Sequence, residues 1–482
     1  MQYIKDHIWK ITALLSIVAF GLTRSIYVSE ADVMWQIRSG LDFMADGVFF
    51  RPDTYSWTAT GQEYISNSWL WNLMISQIYL GAGFYGVAAF TGLSVSVILA
   101  LIVYTMRKSA VSWIAIFIVL AFIGVFSGVW LSGRPQIVDY FLLAFSMALL
   151  AKLNMGKKSS HIIVFLVFPI IIVAWNNFHL TGIVGSFCLA GLYFMYQEKN
   201  TAFAITKESF SSLLRSLALL GVLVASCLLT PYGVDGFTKP LITMGASAGL
   251  ITEWLSPWTF NSEVNTLAAV AISGAIFVAV YLIKTKQWIT ASFSIGLIVI
   301  SSWQSRWTPF MVIMLVTIIG HAIDKIKSER LEKYSIYFRT AAVAVAVTVF
   351  CVGLAAFIPQ NRVSGGNYGY DLVSSIPEGC KIYNEPAIGG AIVLMRPDLK
   401  VSADGRNDMY GWNEYVEQSD VSYDVREGRL WLEKNGIGCV LLHEESPMNI
   451  HLSGNSEWKL AQEDSRGTKL WLKKGLGSLS SK

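Results

Sequence analysis

Apolar blocks of about twenty residues recur through the first 358 positions of this chain. A hydrocarbon core of about 30 Å takes roughly 20 helical residues to cross. In lipid there is no water to satisfy the backbone, so such blocks must close their hydrogen bonds internally, as helices. Hydrophobic residues make up 54% of the 482 positions and charged residues only 15%. Soluble chains carry about 25% charged residues, and one this long would still need a charged surface. The blocks therefore predict an α-helical polytopic membrane protein.

Candidate spans fall near 8–28, 84–106, 111–130, 136–153, 161–176, 180–197, 212–230, 264–283, 287–303, 307–323 and 339–358, about eleven in all. The first block is longer than the apolar core of a signal peptide and has no small-residue cleavage site, so it reads as an uncleaved first helix. Cations sort onto alternate connectors: Lys5 and Lys10, Arg107/Lys108, Lys152/Lys157/Lys158, Lys199/Lys207, Lys284/Lys286 and the Lys325–Arg339 group. Lysine-poor connectors lie between them. By the positive-inside rule the N-terminus is cytoplasmic. An odd span count then places the C-terminal residues outside a plasma or inner membrane. Residues 66–81, beginning Trp69-Leu70-Trp71, are apolar but short. They read as an interfacial helix with its aromatics at headgroup level, a short spanning helix being the alternative.

This gives two expected domains. Residues 1–358 form the membrane part, with a large first outer loop at 29–83, and residues 359–482 form a soluble extracytoplasmic α/β domain. In that domain Lys381-Ile382-Tyr383, Ala391-Ile392-Val393-Leu394, Cys439-Val440-Leu441-Leu442 and Lys469-Leu470-Trp471-Leu472 read as strands. Gly389-Gly390 reads as a turn, and Val421 to Asn435 as a helix stopped by Gly436. Cys380 and Cys439 either pair in an oxidising compartment or remain buried thiols.

A net charge of +4 without a basic, aromatic-interleaved patch excludes nucleic acid as a partner. No cofactor motif and no zinc spacing is present, and a divalent metal is left open. Glu30 and Asp32 stand where the first helix emerges. There a carboxylate can act as general base toward a hydroxyl, or simply cap the helix and solubilise the loop. Further polar residues mark the outer ends of spans: Arg134, Asn176, His179, Glu253 and Arg306. Ionisable groups at membrane depth are costly and often functional. Arg134 and Arg306 could hold a phosphate, or anchor the interface by snorkelling. Asp404-Gly405-Arg406 follows an expected strand and suits either ligand binding or a salt-bridged turn.

The run Glu30-Ala31-Asp32-Val33-Met34-Trp35-Gln36-Ile37-Arg38-Ser39-Gly40, with Pro52-Asp53-Thr54-Tyr55-Ser56-Trp57-Thr58 and Ser68-Trp69-Leu70, resembles a family of bacterial polytopic proteins. That family is similar to the GT-C glycosyltransferase superfamily. The resemblance extends through Arg134-Pro135, Trp175 to His179, Pro231-Tyr232-Gly233, Glu253-Trp254 and Asp404-Gly405-Arg406. It implies a GT-C-like fold and transfer of a sugar from a polyprenyl-phosphate donor, in contact with membrane lipid, to an envelope glycan, lipid or protein. Asp32 would be the base and Glu30 its neighbour. Arg134, Arg306 and Arg38 would bind the donor phosphate, and Trp35, Asp53, Asn176, His179, Glu253, Asp404 and Arg406 the substrates. Glu-Ala-Asp replaces the adjacent acidic pair of several superfamily branches, which leaves open the choice between the two carboxylates. Other readings are a non-catalytic envelope assembly or binding protein, and a polysaccharide polymerase, ligase or transporter. A transporter would show inverted repeats or mid-span charges, neither of which is clear here.

Overall fold

The computed structural model describes residues 2–24, 31–48, 51–126, 130–198, 207–238, 251–326 and 370–475. Glu30 and the candidate span 339–358 lie outside these residues. The chain is mostly helical, with a small C-terminal sheet. It divides into two compact units: residues 1–27, 87–241 and 251–360, and residues 28–86, 242–250 and 361–482.

The described elements of the first unit are all helical. Among the described residues, five helices are long and apolar enough to cross a membrane: Trp69–Lys108, Lys158–Phe178, Glu208–Ser226, Glu263–Lys284 and Ser305–Lys325. Shorter apolar helices occupy Trp113–Gly124, Gly182–Gln197 and Trp288–Trp303. Trp69–Lys108 is interrupted at Ala82 and Gly83, where Gly83 takes φ +57 and only glycine is at ease. Many large apolar side chains on these helices are exposed, including Leu166, Ile170, Phe277 and Val299. Asp324 accepts from the Ser112 amide at 2.8 Å. An aromatic cluster centred on Phe310 joins Tyr140, Trp175 and Trp307.

The second unit is an α/β sandwich. Strands β1 (Arg51–Pro52) and β2 (Glu63–Tyr64) make a short antiparallel ribbon. Strands β3 (Ile382–Asn384), β4 (Cys439–Leu442), β5 (Trp458–Glu463) and β6 (Lys469–Lys473) form one sheet in the order β3-β4-β6-β5. Only the β3/β4 pair is parallel. Alternation along the strands feeds two cores. Ile382, Cys439, Leu441 and Leu470 face one, with Met34, Trp35, Ile388 and Ile392. Tyr383, Val440, Leu442 and Trp471 face the other, with Trp431, Met448 and Leu452. A fully buried aliphatic side chain in such a core stabilises by about 1.5–3 kcal/mol. A disulfide joins Cys380 to Cys439.

The unit that holds the C-terminal residues thus also takes in the first loop. The Ala31–Asp46 helix packs on the Pro386–Met395 helix. Trp57 Nε1 donates to Ile382 O at 2.9 Å, and the backbones of Tyr55 and Trp57 pair with Val401. The other side of the Ala31–Asp46 helix bonds to the start of the Trp69–Lys108 helix. Trp71 Nε1 donates to Gln36 Oε1 at 2.9 Å and Ser76 Oγ to Ile37 O at 2.7 Å.

Two local expectations change. Ala391–Leu394 is helical, not a strand, and Gly389-Gly390 lies inside the same Pro386–Met395 helix rather than in a turn. The helix is buried nearly all round, so it lacks the polar stripe that would betray it. Proline at its first position supplies the start signal. The helix expected from Val421 to Asn435 is two, Trp412–Tyr423 and Val425–Lys434. Asp424 makes the break by accepting from the amides of Arg426 and Glu427.

Candidate functional site

The polar candidates gather into two clusters, one in each unit. In the first unit, Thr252–Trp254 and Ser305–Trp307 are single 3-10 turns. Asn265, fully buried, ties them by donating to Thr252 O at 2.9 Å and Ser305 Oγ at 2.8 Å. That tie brings Glu253 Oε1 to 2.9 Å from Arg306 Nη1. Arg134, on the turn before the Gln136–Lys152 helix, approaches Glu253 Oε2 at 3.8 Å. Arg306 also lies over the Trp254 ring, 4.5 Å from its centroid. Two guanidiniums therefore share one carboxylate, and all three side chains keep some exposure, 14% for Arg306 and 34% for Arg134. Guanidiniums that keep some exposure present the planar donor fork that suits an anion.

Next to Arg306, Trp307 and Phe310 form part of an open cleft of about 450 Å³. Phe187, Cys188, Phe293 and Leu297 are also among the residues of its walls, which are almost wholly apolar. The sequence reading passes over Asp139, which stands in electrostatic range of Arg306 and of Cys188. Its Oδ2 takes His179 Nδ1 at 2.7 Å and the Thr181 hydroxyl at 3.0 Å. An acidic residue in an apolar helix was the available signal. Asn176 bridges helices instead, donating to Cys227 O at 2.8 Å and accepting from Gly182 N at 3.0 Å.

The second cluster is inverted in charge. Arg406 Nη2 reaches Asp404 Oδ2 at 2.6 Å and Asp53 Oδ1 at 2.7 Å, so one guanidinium lies between two carboxylates. All three side chains are at most 2% exposed. Asp53 also accepts from the Tyr55 amide and from the Ser56 amide and hydroxyl. Burial works against the charge on Arg406. Hydrogen-bonded Asp404, with Tyr410 and Asp53, outweighs it and holds the guanidinium protonated well above its usual range. Its flat face lies over Tyr55 and Tyr64. Burial, helped by Asp42, pushes the Tyr55 phenol up. That phenol donates to Asp42 Oδ2 at 2.7 Å, and Arg38 pairs with Asp42 Oδ1 at 2.7 Å.

Asp32 sits in the first turn of its helix, half-buried, and accepts from Trp35 Nε1 at 3.1 Å. Tyr415, on the Trp412–Tyr423 helix, is near enough to feel both Asp32 and Asp404. Burial first, then these two carboxylates, push its phenol up to about 12. The candidates thus sort by unit: Asp32, Trp35, Arg38, Asp53, Asp404 and Arg406 in one, Arg134, Asn176, His179, Glu253 and Arg306 in the other. At the carboxyl ends of parallel β3 and β4, Glu385 and His443 approach to 3.5 Å, a pair the sequence reading did not single out.

No family model matches the chain, and no curated protein matches it. Among solved structures, the fold is similar to that of the Archaeoglobus fulgidus oligosaccharyltransferase, solved in complex with zinc and sulfate. The identity is 11% and the TM-score 0.52, over 97% of this chain and 73% of that one. At that identity the likeness speaks of fold alone. Among the described residues no three of His, Cys, Asp and Glu come together as a metal-ligand set. Asp53 and Asp404 are both engaged by Arg406.

Proposed function

We propose that the chain is a multi-pass membrane glycosyltransferase. It moves a sugar from a polyprenyl-phosphate donor to an envelope glycan, lipid or protein acceptor at the outer face. The observation that carries this reading is the Arg134–Glu253–Arg306 cluster beside an apolar cleft of about 450 Å³. Two partly exposed arginines near an apolar, aromatic-walled groove suit one kind of molecule, an amphiphile with an anionic head and a hydrocarbon tail. The GT-C-like fold supports the reaction class. The Cys380–Cys439 disulfide supports an extracytoplasmic C-terminal unit, with the N-terminus inside and about eleven spans.

In the proposed reaction the Asp32 carboxylate accepts the proton of an acceptor hydroxyl. The hydroxyl oxygen bonds to the sugar's anomeric carbon as the bond from that carbon to the phosphate oxygen breaks. The electron pair leaves with the lipid phosphate, whose charge Arg134 and Arg306 hold. Glu253 orients the two guanidiniums, and Asp139 orients His179. Trp35 orients Asp32. Asp53, Asp404 and Arg406 shape the acceptor side through the loop they fix, and Arg38 holds Asp42 in place.

Equilibrium binding of farnesyl phosphate and of farnesol to the detergent-solubilised protein tests the donor site. The phosphate should bind at least tenfold more tightly than the alcohol, and Arg306→Gln should remove most of that preference. Equal affinity for the two ligands, or an unchanged preference in Arg306→Gln and Arg134→Gln, would sink the donor assignment.

A further inference from the structure

The loop carrying Asp404-Gly405-Arg406 ends against the carboxylate of Asp32. A β-carbon built on Gly405 would overlap Asp32 Oδ1 and come within 3.1 Å of Trp35 Nε1. Trp35 Nε1 in turn donates to that same Asp32 oxygen at 3.1 Å. Indole N–H, carboxylate and bare glycine Cα thus meet at one point. No residue but glycine leaves the carboxylate where it is.

The loop cannot drift away, because it is held from several sides. Arg406 is clamped between Asp53 and Asp404, and its own amide donates to Asp404 Oδ1 at 3.0 Å. Just upstream, Asn384 Nδ2 donates to Ala403 O at 2.8 Å, and Thr58 Oγ1 to Ser402 O at 2.6 Å. Gly389 of the Pro386–Met395 helix lies so close to Ala403 O that a β-carbon there would also overlap. Two rotatable bonds set where an aspartate carboxylate points. One that must take a proton in the transition state needs a fixed orientation.

We infer that Gly405 and Arg406 are positioning residues for Asp32: the buried Asp53–Arg406–Asp404 clamp sets the loop whose glycine holds the Asp32 carboxylate against the Trp35 indole. The catalytic consequence rests on the reading of Asp32 as proton acceptor; the positioning itself does not.

The test therefore reads Asp32 without requiring turnover. Water-soluble carbodiimides attack protonated carboxyls, so labelling of the Asp32 peptide by mass spectrometry, from about pH 4 to pH 8, gives a titration midpoint. Trp35→Phe keeps the ring but removes the donor to the carboxylate, and should raise the midpoint by about one pH unit. Gly405→Ala, which pushes the carboxylate off the indole, should raise it similarly. Arg406→Lys, which keeps the charge but loses the planar fork, should raise it by less. Should Gly405→Ala fail to fold, Arg406→Lys carries the test of the loop, with Trp35→Phe calibrating the response. A midpoint that moves in Trp35→Phe but stays at the wild-type value in the loop variants overturns the inference. Wild-type turnover in Asp32→Asn would instead remove the catalytic reading and leave these midpoints standing.

Discussion

The two ionic clusters are mirror images in charge and opposites in burial. Arg134–Glu253–Arg306 has two cations to one carboxylate and stays partly exposed. Asp53–Arg406–Asp404 has two carboxylates to one cation and is sealed from solvent. In the sealed cluster each charge has taken a protein partner, and the backbone amides of Tyr55, Ser56 and Arg406 satisfy the remaining oxygens. Such a network specifies a conformation and has nothing left to offer a ligand. In the exposed cluster the guanidiniums keep contact with solvent, and an apolar cleft lies near Trp307, the residue after Arg306.

The contrast can be broken by changing one arginine in each cluster. Arg406→Gln strands two buried carboxylates and should cost about 3–5 kcal/mol of folding stability, read by thermal or urea unfolding of the C-terminal unit. Arg306→Gln should change stability by less than about 1 kcal/mol, because its carboxylate keeps Arg134 and solvent. Equal losses in both variants would erase the distinction.

Glu385 sharpens it from another side, as a buried carboxylate with no arginine. Burial raises it from 4.5 to about 7, His443's amide pulling the other way and Glu445 adding to the rise. The folded state thus holds its proton more tightly than the unfolded state. Stability present below pH 4.5 is lost as pH rises through about 7. Glu385→Gln should flatten that window and stabilise the unit at pH 8 by up to about 3 kcal/mol. An unchanged slope of stability against pH would mean that Glu385 is not the titrating group.

The smallest effect concerns the tie behind the exposed cluster. Asn265→Ala should cost about 1–2 kcal/mol, with a matching loosening of farnesyl phosphate binding as Glu253 and Arg306 lose their common anchor. Binding unchanged despite the stability loss would show that the turns are held independently.

Much of this was legible in the sequence where one physical rule dominates. Apolar length marked the helices, and aliphatic runs bounded by glycine marked β3, β4 and β6. The rule failed for Ala391–Leu394, since a short run buried on every side reads alike as strand or helix. Arg134, Glu253 and Arg306 could be named because charge next to a span is rare. That one glutamate serves both arginines depends on two 3-10 turns meeting through Asn265, a contact between distant segments that no local pattern carries. Asp404 and Arg406 were visible as a charged loop, but their burial follows from Asp53, some 350 positions earlier. Gly405 gave no local signal, because its requirement comes from the approach of Asp32.

The central claim, sugar transfer with Asp32 as proton acceptor, is tested most directly by turnover. Wild type and Asp32→Asn in liposomes would be given a panel of polyprenyl-phosphate sugars with envelope glycan, lipid and protein acceptors, and release of polyprenyl phosphate followed. Wild type should release it, and Asp32→Asn should fall by about 10²–10⁴-fold, the contribution of a positioned base. Undiminished release in Asp32→Asn would remove Asp32 from the reaction. No release by wild type from any donor, despite tight farnesyl phosphate binding, would make the protein a binder of lipid-linked glycan precursors instead.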